Sequence, residues 1–277
     1  MRFDNFKADC SKCFGLCCTA LYFSANDGFP VDKEAGKPCI NLQEDFKCKV
    51  HKNLNKKGLK GCIAYDCLGA GQKVAQVTFK GQDWRNHPET VTQMFDIFII
   101  MKQLYEMLWY LNEALILQGE NKLKEELILK IKEIENLTEE NVEALGKLDL
   151  VPVRMSVNKL LLQTSEFVRK KAGNKKTTLK GKRTFGGGFD FIGADLRKKD
   201  LKGENLSGAY LIAANLREVD LSFTDLIGAD LRDADLSGAN LSRSIYLTQA
   251  QINTAKGDMN TKLPKVIVRP KAWENEK

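Results

Sequence analysis

The chain has 277 residues, of which 43% are hydrophobic and 29% charged, with a formal net charge of +7. This length and balance exclude a disulfide-held mini-protein, a disordered chain and a collagen-like one, and leave room for one large or two modest domains. The charge and the cysteines are unevenly spread: residues 169–188 carry eight basic side chains and no acid, and all eight cysteines fall between Cys10 and Cys67.

The first segment, residues 1–87, opens MRFDNFKADCSKC. It has no apolar h-region and no small-residue cleavage site, so no secretory leader is expected and the expected compartment is the cytoplasm. Thiols there stay reduced, which makes metal ligation or redox chemistry the expected role of the cysteines, rather than disulfides. They run Cys10-x2-Cys13-x3-Cys17-Cys18, then Cys39, then Cys48-x2-His51, then Cys62-x4-Cys67. If the first stretch is helical, Cys10, Cys13 and Cys17 share a face, with Cys18 about 100° away. Three thiols on one face and a fourth from a distant loop make a four-thiolate site, which suits Zn(II) or an Fe–S cluster. The plain alternative is that some of these are buried free cysteines acting as small hydrophobes. The candidate metal ligands are Cys10, Cys13, Cys17, Cys18, Cys39, Cys48, His51, Cys62 and Cys67; metal identity stays undecided between zinc and Fe–S.

The second segment, residues 88–171, reads as helical. Pro88 suits a first helical turn, and the long apolar run after it ends at Gly119. Within Ile97 to Leu117, Lys102, Glu106 and Glu113 fall within about 40° of each other on a helical wheel. That stripe predicts a buried helix with one wet edge, not a membrane span. Leu123, Leu127, Ile131 and Ile134 mark an amphipathic helix. Thr138 is the expected cap of a short helix after it, and a last helix covers about Val153 to Lys171.

The third segment, residues 172–188, reads as a flexible Gly/Lys linker. Arg169, Lys170, Lys171, Lys175, Lys176, Lys180, Lys182 and Arg183 form an acid-free run. Phosphate contact, on nucleic acid or an anionic surface, is the functional reading. Phe185 is its only aromatic, so the interleaving expected of single-strand binding is missing, and a solvated linker is preferred.

In the fourth segment, residues 189–245, Leu recurs every five residues from Leu196 to Leu241 without a break. A small residue mostly stands two positions before each Leu (Ala209, Ala214, Ala229) and Asp or Asn one before (Asp195, Asn215, Asp230). A period of five fits neither helix nor flat strand, but fits a coil that turns a corner every five residues. Lys199 and Glu204 at the small position predict an irregular first coil. Residues 246–277 are expected to form a cap and tail.

The GADLR, GANLS and AANLR pentads resemble the pentapeptide-repeat proteins. The resemblance implies a right-handed quadrilateral β-helix with four pentads per coil. The cysteine spacing, with Phe29-Pro30, Gly36-x2-Cys39 and Cys62-x2-Tyr65-x-Cys67, resembles the bacterial zinc- or iron-chelating cysteine-cluster family over about residues 8–70. His51 stands where that family usually has Tyr. The order of parts, with GAGQKVAQVTFKGQDWR at 69–85, resembles bacterial pentapeptide-repeat proteins that carry this N-terminal domain and have no assigned reaction.

The fold class expected is therefore multi-domain: an irregular Cys-rich metal domain, a helical domain, a basic linker, and a capped quadrilateral β-helix. The function expected is a metal- or Fe–S-binding interaction protein whose repeat face binds a protein partner. An enzyme with an open Zn or Fe–S position is the first alternative. No nucleophile elbow, phosphate loop or zinc-protease motif is present, and His87 reads as a turn residue. A nucleic-acid or topoisomerase binder is the second alternative. Residues 189–243 carry ten acids and seven bases, whereas B-DNA spanning fewer than three such coils holds on the order of eight negative charges. That makes a DNA mimic unfavourable.

Overall fold

The structure, a computed structural model, describes residues 3–119, 121–173, 179, 181–184 and 186–274. It forms two compact units, Met1–Leu161 and Leu162–Lys277.

In the first unit the cysteine-bearing residues adopt short helical pieces. A 3-10 turn at Cys10–Lys12 is capped by the Asp9 side chain, which accepts from Ser11 N. The chain breaks at Phe14 and Gly15, both left-handed at φ 52° and 63°, and re-enters a helix at Leu16–Ala20 (α1). The continuous helix considered for this stretch is thus split. A side chain at position 15 would also sit 2.5 Å from a Leu42 methyl, so glycine suits both the bend and the close approach. Helices α2 (Lys60–Ala64) and α3 (Ala70–Lys73) follow, and α3 runs into a single π turn at Val74–Thr78.

The scaffold of this unit is α4, Val91–Leu117. Met94, Ile97, Phe98, Met101, Leu104, Leu108 and Leu111 are buried at helical spacing. The wet edge carries a 2.8 Å Lys102–Glu106 ion pair. Phe3 and Phe6 set their rings edge-on to Trp109, at 4.6 and 5.7 Å between centroids. Helix α5 (Lys122–Thr138) turns Leu127, Ile131 and Ile134 inward and packs on α4, as do α6 (Val142–Gly146), α3 and α1. Asn121 caps α5, accepting from Lys124 N at 2.9 Å. Thr138 does not cap α6: it is the last residue of α5 and donates back to Glu135 O, while Asn141 accepts from Ala144 N as the α6 cap. Such a cap is worth about 1 kcal/mol. The boundary between the units falls within α7, Leu150–Lys170. Among the described residues no helix is long and apolar enough to cross a membrane.

In the second unit the five-residue period becomes a repeated turn. Each central residue (Phe191, Leu196, Leu201 and onward) is buried and accepts, through its carbonyl, from the N–H three residues on, as in Ala214 N to Leu211 O at 3.0 Å. The residue two after the centre is left-handed in most pentads, whether glycine (Gly193, Gly203, Gly208, Gly228, Gly238) or not (Ala213, Glu218, Phe223, Asp233). This is type II turn chemistry. The Asp or Asn side chain accepts from the N–H two residues later, as in Ser207 N to Asn205 Oδ1 at 3.0 Å. Main-chain bonds then join residues about twenty apart in parallel register. Leu211 N donates to Asp230 O, and Asp230 N to Ala209 O, both at 2.9 Å.

The expected right-handed quadrilateral β-helix is corrected by this arrangement. Among the described residues there is no β-strand and no sheet, only isolated parallel bridges such as Asp195 with Asn215, Tyr210 with Asp230 and Asp225 with Ile245. The reason is local: turn residues interrupt every pentad, so pairing never runs through consecutive residues. The segment is a coil of turns joined by single bridges. Asp220 bridges Asn240 in the same series. Lys199 is exposed, whereas Glu204 is buried with Oε2 lacking a hydrogen-bond partner. Thr224 and Ser244, also at the small position, bury their hydroxyls by donating to Leu201 O and Leu241 O at 2.8 Å.

After the last pentad comes α8, Gln249–Thr254, whose Thr248 and Gln251 form a capping box. Gln251 Nε2 donates to Leu226 O and Ala229 O at 2.9 and 2.8 Å. Lys256 and Lys262 continue the bridge register onto Asp235 and Asn240. Trp273 is buried and donates to Ala255 O. Of the basic stretch at 172–188, residues 174–178, Lys180 and Phe185 lie outside the described residues.

Candidate functional site: a cysteine-lined cavity

One cavity of about 280 Å³ in the first unit is lined by all eight cysteines and His51, together with Phe23, Phe29, Tyr65 and Asp66. The polypeptide brings these residues together from five short segments. The Cys10–Lys12 turn is held by α3 and the π turn behind it: Gln72 Oε1 accepts from Asp9 N, and Gln76 Nε2 donates to Lys12 O at 2.9 Å. Helix α1 supplies Cys17 and Cys18. Cys39 is tied to it by main chain, its N–H donating to Cys18 O at 2.9 Å. An antiparallel bridge between Leu42 and Cys48 carries Cys48 back toward Cys39. Cys39 and Cys62 pack against an apolar cluster of Phe23, Phe29 and Leu59. Cys67 stands three residues before the start of α3, and Ala70 N donates to its carbonyl at 2.9 Å.

All eight cysteines are free thiols. Cys17 Sγ and Cys18 Sγ stand 4.0 Å apart, and Cys10 Sγ lies 3.8 Å from His51 Nε2. Cys13 Sγ faces Cys10 O at 3.4 Å. Hydrogen bonding within each pair splits the acidities. Cys10 is raised and Cys13 lowered by their shared bond, and likewise Cys17 is raised and Cys18 lowered by theirs. Burial pushes Cys62 up to about 12 and raises Cys48 and Cys67. Among the described residues no three His, Cys, Asp or Glu side chains are gathered closely enough to hold a metal ion as they stand.

Two residues that the sequence did not single out as functional belong to this site. Lys33 is 8% exposed, and its ammonium donates to Thr19 O at 2.6 Å and to Leu21 O. Burial lowers its pKa, while Cys39, Cys18 and Cys17 act in the opposite direction. The Tyr65 hydroxyl is buried without a hydrogen-bond partner, and its charged neighbours are Cys17, Cys67, Asp66 and Cys13. A buried hydroxyl donor left unpaired costs about 1–3 kcal/mol, so an acceptor inside the cavity would satisfy it. Tyr65 sits within the Cys62 to Cys67 spacing; Lys33 belongs to no motif or period.

The remaining sequence candidates are locally engaged. His87 Nδ1 lies 3.2 Å from Glu89 Oε1 at the turn entered by Pro88. Arg183 stacks on Phe189 at 3.6 Å and donates to Gly187 O, and Arg169 donates to Ser165 Oγ at 3.1 Å.

Residues 205–243 match the family model for pentapeptide repeats, in eight copies. Over 270 residues the chain is 52% identical to the uncharacterized protein YybG of Bacillus subtilis (strain 168), covering 98% of this chain and 95% of that protein. The coil of five-residue turns and this end-to-end similarity place the chain: it belongs to the YybG family of pentapeptide-repeat proteins.

Proposed function

We propose that this pentapeptide-repeat protein is a metal-binding interaction protein: the cysteine-lined cavity holds a thiolate-bound metal centre, zinc or iron–sulfur, and the repeat coil presents a surface to a protein partner. The observation that carries this reading is the convergence of eight thiols and one imidazole on a single cavity. The donor chemistry fits, since thiolates are the ligands both centres take. The unpaired Tyr65 hydroxyl and the buried Lys33 ammonium fit as well, because each favours negative charge on the sulfurs around it. Bound metal would supply cross-linking among the cysteine-bearing segments. The protein's own groups do the rest. Lys33 offsets part of the charge on ionised thiols, the unsatisfied Tyr65 hydroxyl would donate to an acceptor that enters the cavity, and Phe23 and Phe29 line one side.

Anaerobic purification followed by metal analysis and an absorption spectrum tests this. Stoichiometric zinc in a colourless protein, or iron with sulfide and visible charge-transfer bands, is expected. A natively folded protein that carries neither metal and takes up neither after reduction overturns the reading.

A further inference from the structure

A second cavity, of about 300 Å³, lies within the second unit and is lined by Arg169, Arg183, Gly187, Phe189, Asn205 and Ser207. Arg169 belongs to the last turn of α7, and that turn is seated on the coil: a Cβ at Gly203 would stand 3.3 Å from Arg169 O. Its Nε donates to Ser165 Oγ at 3.1 Å, and Ser165 in turn bonds the buried Asp225 carboxyl, so the guanidinium is held on one side. Arg183 is held independently. It pairs with Phe189 in an antiparallel bridge, lays its guanidinium on the Phe189 ring at 3.6 Å and donates through Nη1 to Gly187 O at 3.1 Å. Both Nη groups of Arg169 and the Nη2 of Arg183 have no hydrogen-bond partner among the described residues. On the coil, Asn205 Oδ1 accepts from Ser207 N at 3.0 Å, which leaves the amide Nδ2 as a donor beside the Ser207 hydroxyl.

The lining thus offers two guanidiniums, an amide and a hydroxyl, all able to donate, and among its described residues there is no carboxylate. Asp holds the corner position in most pentads, as at Asp195, Asp220 and Asp235, yet the corner that borders the cavity is Asn205. Asp225 stacks beside Asn205 through a parallel bridge and is the nearest acid to Arg169. Even with Asp225 ionised, the two arginines leave positive charge in excess. We propose that this cavity binds a phosphate group, either free orthophosphate or the head of a small phosphomonoester. The planar guanidinium fork matches phosphate oxygens in pairs, and Asn205 and Ser207 donate to the others. The volume stands at the lower end of small-molecule sites, about 300–1,000 Å³, which suits one phosphoryl group with few attached atoms. Arg169 and Arg183 are the first and last members of the acid-free basic run, so the fold turns the two ends of that run into a compact site and not an extended track for a polyanion.

The test is isothermal titration calorimetry of the full-length chain with inorganic phosphate, glycerol phosphate and acetate at constant ionic strength. Saturable one-to-one binding of phosphate or glycerol phosphate is expected, with acetate at least about tenfold weaker. Tighter binding of inorganic phosphate assigns the free ion as the natural occupant, and tighter binding of glycerol phosphate assigns an organic monoester. Arg169→Ala and Arg183→Ala should each weaken binding about 10- to 100-fold. Asn205→Asp guards against misfolded variants, because Asp220 and Asp235 hold the same corner and accept from Ser222 N and Ser237 N in the same way. It should keep the wild-type denaturation midpoint and lose phosphate binding through repulsion. No phosphate or glycerol phosphate binding in the millimolar range, acetate bound as tightly as phosphate, or wild-type affinity retained in all three variants overturns the proposal.

Discussion

The N–H of Cys39 donates to the carbonyl oxygen of Cys18 at 2.9 Å, so two cysteines twenty-one positions apart are joined through main chain and not through sulfur. The backbone thereby positions the thiols before any ligand arrives. Burial raises Cys62, Cys48 and Cys67, whereas hydrogen bonding lowers Cys13 to about 7 and lowers Cys18, so the raised thiols must give up protons to act as ligands.

It follows that metal uptake releases protons. Affinity should rise with pH through the neutral and mildly alkaline range and fall on acidification, because the protonated thiols compete with the ion. Competition against a chromophoric chelator from pH 6 to pH 9 checks this; affinity independent of pH would contradict it.

Lys33→Met removes the ammonium that serves Thr19 O and Leu21 O. Thr19 O keeps the Gly36 N–H at 2.9 Å, but Leu21 O loses the ammonium, which should cost about 1–3 kcal/mol in denaturant unfolding of the first unit. It should also weaken metal retention, since the thiolates lose their buried cation. Lys33→Arg should restore part of the second effect by supplying the charge.

Glu204→Ala should stabilise the second unit. The carboxylate occupies a position where other pentads place a small residue, and its Oε2 is buried without a partner. Relief of such a group is worth about 1–3 kcal/mol, read as a higher denaturation midpoint. Leu211→Ala, at a fully buried centre, should do the reverse and cost about 2–5 kcal/mol.

Asp225 is 1% exposed and its pKa is raised by burial, against opposing contributions from Ser165, Ile227 N and Arg169. A carboxyl raised in the folded state subtracts stability as pH climbs through the carboxylate range. Asp225→Asn should therefore melt higher than the wild type at neutral pH, with the gap closing as the pH falls from the raised folded-state pKa toward about 4 and gone below it, where the carboxyl is protonated in both states.

The repeat register was legible because Leu recurs every five residues, and burial of every centre from Leu196 to Leu241 follows from that period. Strand content was not legible. A period reports where the chain closes on itself, whereas extended pairing depends on how many residues per repeat escape the turn. The five-residue period called for a corner in every pentad, but residues such as Ala213, Glu218, Phe223 and Asp233 adopt left-handed backbone without being glycine, so residue type did not mark the turn conformation that interrupts the pairing. In the cysteine segment, spacing collected the donors but not their supports. Lys33 reaches the site through tertiary burial alone, and Phe14 with Gly15 breaks the helix on which a shared cysteine face depended. Thr138 and Asn141 both suit a cap, and only the actual end of α5 decides between them.

Bridges that join residues about twenty apart have a consequence for how this chain can change length. Adding or losing one to four residues in the coil would turn every later leucine outward. A change of five keeps the leucines inside but moves each following side chain to the next face, away from its stacked neighbour. Only a step of twenty restores both. Length variation within the coil among relatives should therefore come in steps of twenty residues.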